Sequence, residues 1–426
     1  MPDPARRPPL IPLDDALARL LAHARPLERT EQISTFDADG RVLAQDVVSP
    51  LRVPPNDNSA MDGYAVRAAD VTAPGVELPV SQRIAAGQAG TPLVAGTAAR
   101  IFTGAPLPAG ADAVVMQEDA EALDTKASDG GERARIQAVP AAGQWVRQAG
   151  EDVAQGAAVL RAGQRIGPAG MGLAAGVGQA TLAVHARPHV ALFSTGDELV
   201  MPGDVAPQSM KPGSIYNSNR FFLRALLQRL GCMVTDLGIV PDNRSATLAA
   251  LQSAAEAHDL ILTSGGVSVG EEDHVKPAVE QLGALDLWQI ALKPGKPFAY
   301  GHVRRGEQQA GVGAAHFIGL PGNPVSSFVT FLVLVRPFLL KLQGAAHWAP
   351  AVQMARADFA VTRADKRREF LRVRRNAQGG LDLFGNQSSG VLTSMHWADG
   401  LVDNPAGTTI APGDTVRFIP MAEVLK

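Results

Sequence analysis

The chain has 426 residues, 46% of them hydrophobic and 19% charged, with a net charge of −3 and a single cysteine, Cys232. At ~150 residues per domain that length predicts about three domains, and the composition excludes a largely disordered chain, an intramolecular disulfide and a cysteine-rich metal site. The slight acidity argues against nucleic-acid binding, and a chain with no signal-peptide pattern and no uninterrupted apolar stretch of membrane-spanning length is expected in the cytoplasm.

Residues 13–24 (LDDALARLLAHA) read as an amphipathic helix with Asp14 and Asp15 in its first turn, where acids suit the helix dipole. From about 41 to 185 the pattern changes to short strand-like runs broken by Gly and Pro, among them RVLAQDVV (41–48), ARIFTG (99–104), DAVVMQ (112–117) and ARIQAV (134–139). A polar loop is expected at 121–133. The segment GPAGMGLAAGVG (167–178) looks superficially like a nucleotide-binding glycine loop, but Pro168 points to a helix already under way, with small residues serving close packing.

From residue 188 the rhythm is strand, loop, helix. Strands are expected at 189–195, 233–240, 259–264, 285–292 and 316–320, and helices at 218–230, 244–257, 274–282 and 324–342. Near-continuous apolar strands alternating with helices imply a mostly parallel sheet covered on both faces. About 345–426 returns to short alternating runs, as in a small β domain. Cys232, just after the probable helix end at Gly231, reads as a small buried hydrophobe.

Polar motifs follow these strands: STGDEL (194–199), PDN (241–243), TSGGVSVGEED (263–273), KPGKP (293–297) and LPGNP (320–324). In an open parallel sheet such points share the carboxyl edge, where ligands bind. Gly265, Gly266 and Gly270 let backbone N–H groups approach an oxyanion, and Lys293 and Lys296 add positive charge. Glu198, Asp242 and Asp273 require a cation such as Mg²⁺ beside such an anion. Duller readings stand next to these: Asp242 as a helix N-cap, the glycines as turn formers, Glu271 and Glu272 as a solvated helix start, the lysines as surface charge. The arginines of 363–375 read mostly as a solvated strand, Arg367 excepted on the family grounds given next.

STGDEL, PGSIYNSN (212–219), SGGVSVGEED, KPGKPFAYG (293–301) and GLPGNPVSS (319–327) resemble the catalytic domain of molybdopterin molybdenumtransferases, the MoeA family, to which the E-domain of gephyrin is related. NDNSAMDGYAVR (56–67) and RIFTGAPLPAGADAVVMQED (100–119) resemble that family's second domain, and RREFLRVR (367–374) and GNQSSGVLTS (385–394) its C-terminal domain. Against the family pattern, 304–316 looks longer than required, and Asp399 stands where relatives commonly have asparagine.

The resemblance implies a multidomain α/β plus β fold, with a central mostly parallel molybdopterin-binding domain at 188–342. It implies a β-rich second domain at 51–149, a small barrel-like C-terminal β domain at 343–426, and a discontinuous N-terminal or linking domain from 1–50 and 150–187. It also implies a Mg²⁺-dependent transferase and elongated homodimer that puts molybdate onto adenylylated molybdopterin and releases AMP. The active site would lie between the α/β domain of one subunit and the second and C-terminal domains near it. By motif, Glu198, Asp242 and Asp273 would hold the metal, and Asp197 would help them orient the pyrophosphate. Lys293, Lys296, Ser326, Arg367 and Ser389 would receive molybdate and nearby anionic groups. Gly265 and Gly266 would bind substrate, and Asp62 and Thr103 would reach the site from the second domain. The adenylyltransferase acting one step earlier and the proteins that receive the cofactor are candidate partners; nucleic acid and membrane are not. Two rival readings remain: that adenylyltransferase itself, and a non-catalytic scaffold.

Overall fold

The computed structural model describes residues 10–123, 131–266, 274–306 and 313–425. Asp273 and Gly270 lie outside the described residues, as do Glu271, Glu272 and parts of the loops expected at 121–133 and 304–316.

Helix α1 (Leu13–His23) carries Asp14 and Asp15 in its first turn and buries Leu13, Ala16, Leu20 and Leu21. The chain then makes strand Thr30–Ser34, leaves, and returns at Thr181–His185 to pair with it antiparallel. Between these two strands lies a six-stranded sheet built from strands between Gly63 and Ile136. The glycine-rich segment at 167–178 is helix α2 (Pro168–Gly176), with Pro168 in its first turn, so the nucleotide-loop reading of it falls.

The central sheet uses β1 (His189–Thr195), β2 (Met233–Val240), β3 (Leu260–Ser264), β4 (Gly283–Gln289), β6 (Pro297–Arg304) and β7 (Ala314–Leu320); β5 (Leu292–Lys293) lies outside it. Its order is β2-β1-β3-β7-β6-β4. The strands from β2 to β7 are parallel, β6 runs antiparallel to β7, and β4 runs antiparallel to β6. Two reversals return β4 to the common direction, so the segment after it emerges at the same edge as those after β1, β2, β3 and β7.

Alternate residues of β1 face opposite layers. Val190 and Leu192 join a core with α1, α3 (Asn219–Arg229) and α6 (Pro324–Leu342). Ala191 and Phe193 join a second core with α4 (Arg244–Ala257) and α5 (Val275–Leu282). Burial on both faces explains the unbroken apolar strands. Asn243, not Asp242, caps α4: its side chain accepts the amide of Ala246 at 2.9 Å.

Three expectations need correction. The run 285–292 is not one strand: β4 ends at Gln289 and β5 crosses into the C-terminal sheet. PFAYGHVR, where no strand is expected, is the interior strand β6. Finally, α6 is a continuous helix of 19 residues, long and apolar enough to cross a membrane by length and composition. Of its most apolar window 83% is buried in the chain's own core, and the buried Arg336 gives its guanidinium to the carbonyls of Trp348 and Glu423.

The C-terminal sheet has the order β5-β9-β11-β12-β8, with β8 (Gln353–Arg356), β9 (Arg368–Arg375), β11 (Gly400–Asn404) and β12 (Thr415–Pro420). Strand β10 (Leu381–Leu383) pairs with β9, and a bridge from Ala357 to Leu381 brings the far edge back to it. That near-closure produces the barrel-like form around Leu371, Val373, Val402 and Phe418. The opposite face of this sheet, with Phe370, Leu401 and Ile419, joins the core of the α/β unit.

Candidate active site at the carboxyl edge

A cavity of about 680 Å³ opens at the carboxyl edge of the central sheet. Its wall combines Thr195 and Glu198 after β1, Tyr216, Asn217 and Asn219 before and at the start of α3, and Ser264, Gly265 and Gly266 after β3. Pro297, the segment from Pro321 to Pro324, Ser326, and Gly390 from the C-terminal domain complete it.

The glycines are there for geometry. Gly265 has φ +97° and a Cβ on it would lie 3.0 Å from the Thr195 carbonyl; on Gly266, at φ +67°, it would meet Val275 at 2.6 Å. Both therefore bring bare backbone to the wall. Glu198 folds back over Gly196, whose missing Cβ leaves room for its carboxylate. Asn219 is buried and donates its amide to Ser264 Oγ at 2.8 Å and to the Gly322 carbonyl at 2.7 Å, tying three loops together. Asn217 is 2% exposed, and its Nδ2 has no partner among the described residues. An orphaned donor on a cavity wall fits an acceptor-rich ligand such as phosphate.

The loop after β4 links this cavity to a second. Gly295, at φ +119°, lies so close to α6 that a Cβ would meet Thr330 Oγ1 at 2.3 Å and the Ser326 carbonyl at 3.4 Å. On one side of it Pro297 lines the first cavity; on the other, Lys293 lines a cavity of about 510 Å³ with Arg363, Asp365 and Lys366. The GNQSSG loop docks on α6 beside the first cavity, where Gly390 lines the wall and the Val325 amide donates to the Ser389 carbonyl at 2.9 Å.

Part of the charge at the second cavity is paired. Lys293 Nζ lies 2.7 Å from Glu369 and 3.2 Å from Asp365. Its pKa is raised, chiefly by the bond it donates to Glu369. Arg367 grips both oxygens of Asp365, and this bond leads the causes that hold the Asp365 carboxyl well below the usual range. The arginines of the strand are not simply solvated. Arg368 bridges Asp403 and Asp14, and Arg372, 1% exposed, sits under the GNQSSG loop, with its backbone N–H bonded to Gln387 and its Nε to Ser394.

The candidate residues are thus distributed unevenly. Glu198, Gly265, Gly266 and Ser326 share the first cavity, with Lys296 and Ser389 adjacent in sequence to its lining. Asp197 and Asp242 are not among the lining residues, although both follow strands at this edge. Asp62 and Thr103 are together but elsewhere: Asp62 accepts the Thr103 amide at 2.8 Å and its hydroxyl at 2.7 Å, and no residue of 51–149 lines either cavity. The amide bond from Thr103 is the first cause of the lowered Asp62 pKa. Among the described residues no three His, Cys, Asp or Glu groups lie close enough to hold a metal; Asp273 is outside that set. Sequence reasoning missed Asn217, Asn219, Asp365 and Glu369. The PGSIYNSN motif contained the first two, and alternating charge in ADKRREF signalled the others.

Residues 11–178 match the MoeA N-terminal region (domain I and II), 191–341 a probable molybdopterin binding domain, and 354–421 the MoeA C-terminal region (domain IV). The chain is 37% identical to the molybdopterin molybdenumtransferase of Haemophilus influenzae over 426 residues, covering 98% of this chain and 100% of the relative. It is 31% identical to that of Bacillus subtilis, covering 97% and 94%. The crystal structure of a molybdopterin biosynthesis MoeA protein from Pyrococcus horikoshii superposes with a TM-score of 0.81 at 27% identity, covering 97% of this chain and 100% of that one.

Proposed function

The chain belongs to the MoeA family of molybdopterin molybdenumtransferases, and from that premise we propose that it inserts molybdate into adenylylated molybdopterin and releases AMP at the carboxyl edge of its central sheet. The observation that carries this reading is the loop at 293–297. It ends in one cavity walled by backbone, amide and carboxylate groups, and begins, at Lys293, in a neighbouring one lined also by Arg363, Asp365 and Lys366. A substrate that joins a phosphoanhydride to an oxyanion acceptor needs both.

In this reading Asn217, Gly265 and Gly266 seat the phosphoanhydride oxygens, and Ser326 at the start of α6 adds a hydroxyl. Lys293, Arg367, Lys296 and Ser389 receive the tetrahedral molybdate, for which charged donors are the expected partners. Glu198 supplies a hard oxygen ligand on the wall, and Asp242 follows β2 at the same sheet edge, where Asn243 rather than Asp242 caps α4. With Asp273 these carboxylates suit Mg²⁺, which would supply charge neutralisation on the phosphoanhydride oxygens. Asp197 orients the same end of the substrate. Cys232 is buried, with burial pushing its thiol up to about 12, so the chain offers no thiolate nucleophile there and works by positioning and electrostatics.

The Asp62–Thr103 pair belongs to a lobe absent from both cavity walls, which supports a homodimer in which a second copy brings it to the site. We also keep the four-part division of the chain, a cytoplasmic location, and contact with the preceding adenylyltransferase and cofactor-receiving proteins within this proposal. The test is AMP release from adenylylated molybdopterin. Release that needs molybdate and stops on chelation of Mg²⁺ supports the reading; adenylylation of free molybdopterin by ATP instead moves the chain one step earlier.

A further inference from the structure

The cations assigned to the oxyanion already hold anions. Arg367 donates Nε and Nη2 to the two oxygens of Asp365 at 3.0 and 2.9 Å. This is the fork-to-fork arrangement that a guanidinium offers any planar or tetrahedral oxyanion. Lys293 then bridges Asp365 and Glu369. Lys293 and Arg367 against Asp365 and Glu369 give a formal charge of zero, with Arg363 and Lys366 lining the same cavity.

The two carboxylates differ in freedom. Glu369 lies within β9, opposite Asn404 in the register, and its side chain is 5% exposed. Asp365 precedes the strand, lies on the cavity wall, and is 19% exposed. Its backbone is fixed, because its carbonyl accepts the Gly407 amide at 2.7 Å. Rotation about its side-chain bonds therefore frees the Arg367 guanidinium and Lys293, at the cost of the bond its Oδ1 accepts from the Arg367 backbone N–H at 3.0 Å.

We propose that Asp365 is a displaceable internal anion: it holds Arg367 and Lys293 in place while the oxyanion site is empty, and turns away when molybdate takes the guanidinium fork. This rests on the reading of that cation pair as the molybdate site. Glu369 keeps Lys293 anchored throughout. Molybdate affinity is then a difference between two anions competing for the same donors, so the oxyanion is held loosely enough to pass to its acceptor. Tighter ground-state binding lowers KM without raising kcat.

The experiment is calorimetric titration of molybdate into the full chain, alongside Asp365→Asn and Asp365→Ser, with Lys293→Ala as the reference for a lost cation. Asp365→Asn preserves shape, while Asp365→Ser removes the carboxylate that reaches the Arg367 guanidinium yet can still accept the Arg367 backbone N–H. Either folded variant is expected to bind molybdate about tenfold more tightly than the wild type, and to show a lower KM for molybdate in AMP release without a higher kcat. Equal or weaker binding in the folded variants overturns the proposal and makes Asp365 a fixed support of Arg367. No molybdate binding by the wild type also overturns it, while AMP release judges the wider reading separately.

Discussion

The two walls of the candidate site solve the problem of holding an anion in different ways. The α/β wall uses backbone, buried amides and a helix start, with Asn219 bonding Ser264 and Gly322 across loops. The C-terminal wall uses charge, with Lys293 and Arg367 neutralised by Glu369 and Asp365. Neutral donors set into a sheet edge are fixed and indifferent to pH over a wide range. Ion pairs on a half-exposed barrel rim add less stability but are adjustable and screened by salt. A site that must grip one end of a substrate and hand over the other benefits from having both.

The contrast breaks most easily at the loop joining the walls. Gly295→Ala adds a Cβ 2.3 Å from Thr330 Oγ1 at a φ of +119°, and should cost roughly 3 kcal/mol or more. Chemical denaturation measures that loss; an unchanged midpoint would mean the loop is not seated on α6.

Acid separates the α/β domain from the C-terminal domain next. His316, half-buried beside Tyr300 and Phe338, has its pKa lowered to about 4, first by desolvation. The folded state prefers it neutral, so its contribution is complete above pH 6.5 and is lost as pH falls toward 4, by up to roughly 3 kcal/mol. Asp358 on the C-terminal domain is lowered to about 2 by Arg356 and Asn376. Its contribution persists above 3.8 and disappears only as pH falls toward 2. His316→Gln should therefore flatten the stability profile between pH 6.5 and 4, whereas Asp358→Asn should alter it only below that window.

Asn219→Ala should cost about 2 kcal/mol by orphaning the Gly322 carbonyl. It should also raise the KM for adenylylated molybdopterin more than that for molybdate. An equal rise in both would erase the proposed division between the walls. The smallest stability effect belongs to Glu369→Gln, below about 1 kcal/mol because Lys293 is 41% exposed. That variant should affect molybdate KM and its salt dependence, leaving binding of the nucleotide end untouched.

Much of the central sheet was legible from sequence because its interior strands are buried on both faces, so β1 and β3 are nearly unbroken apolar runs; α4 was legible as a helix, although its cap is Asn243 rather than Asp242. Legibility failed where an element serves two units. LDLWQIAL looks like one strand, yet its last residues pair with β9, since Lys293 meets Glu369 across that register. PFAYGHVR was hidden by its overlap with a polar motif. Glu198 and the glycines stood out because charge and glycine after a strand are unusual; Asn219 did not, because a buried amide leaves no mark in charge or hydropathy. Asp365 and Glu369 were hidden among the six arginines of 363–375, and only the fold shows which acid meets which base. Asp62 and Thr103 find each other within a lobe that lines neither cavity, a separation that no pattern in the sequence reveals.

The most direct test of the account is single-turnover AMP release from adenylylated molybdopterin, with molybdate varied, for the wild type and Arg367→Ala. The account predicts saturable, molybdate-dependent release by the wild type, and for Arg367→Ala a loss of molybdate dependence while the adenylylated substrate still binds. AMP release by the wild type that ignores molybdate would contradict it, as would an Arg367→Ala variant that responds to molybdate as the wild type does.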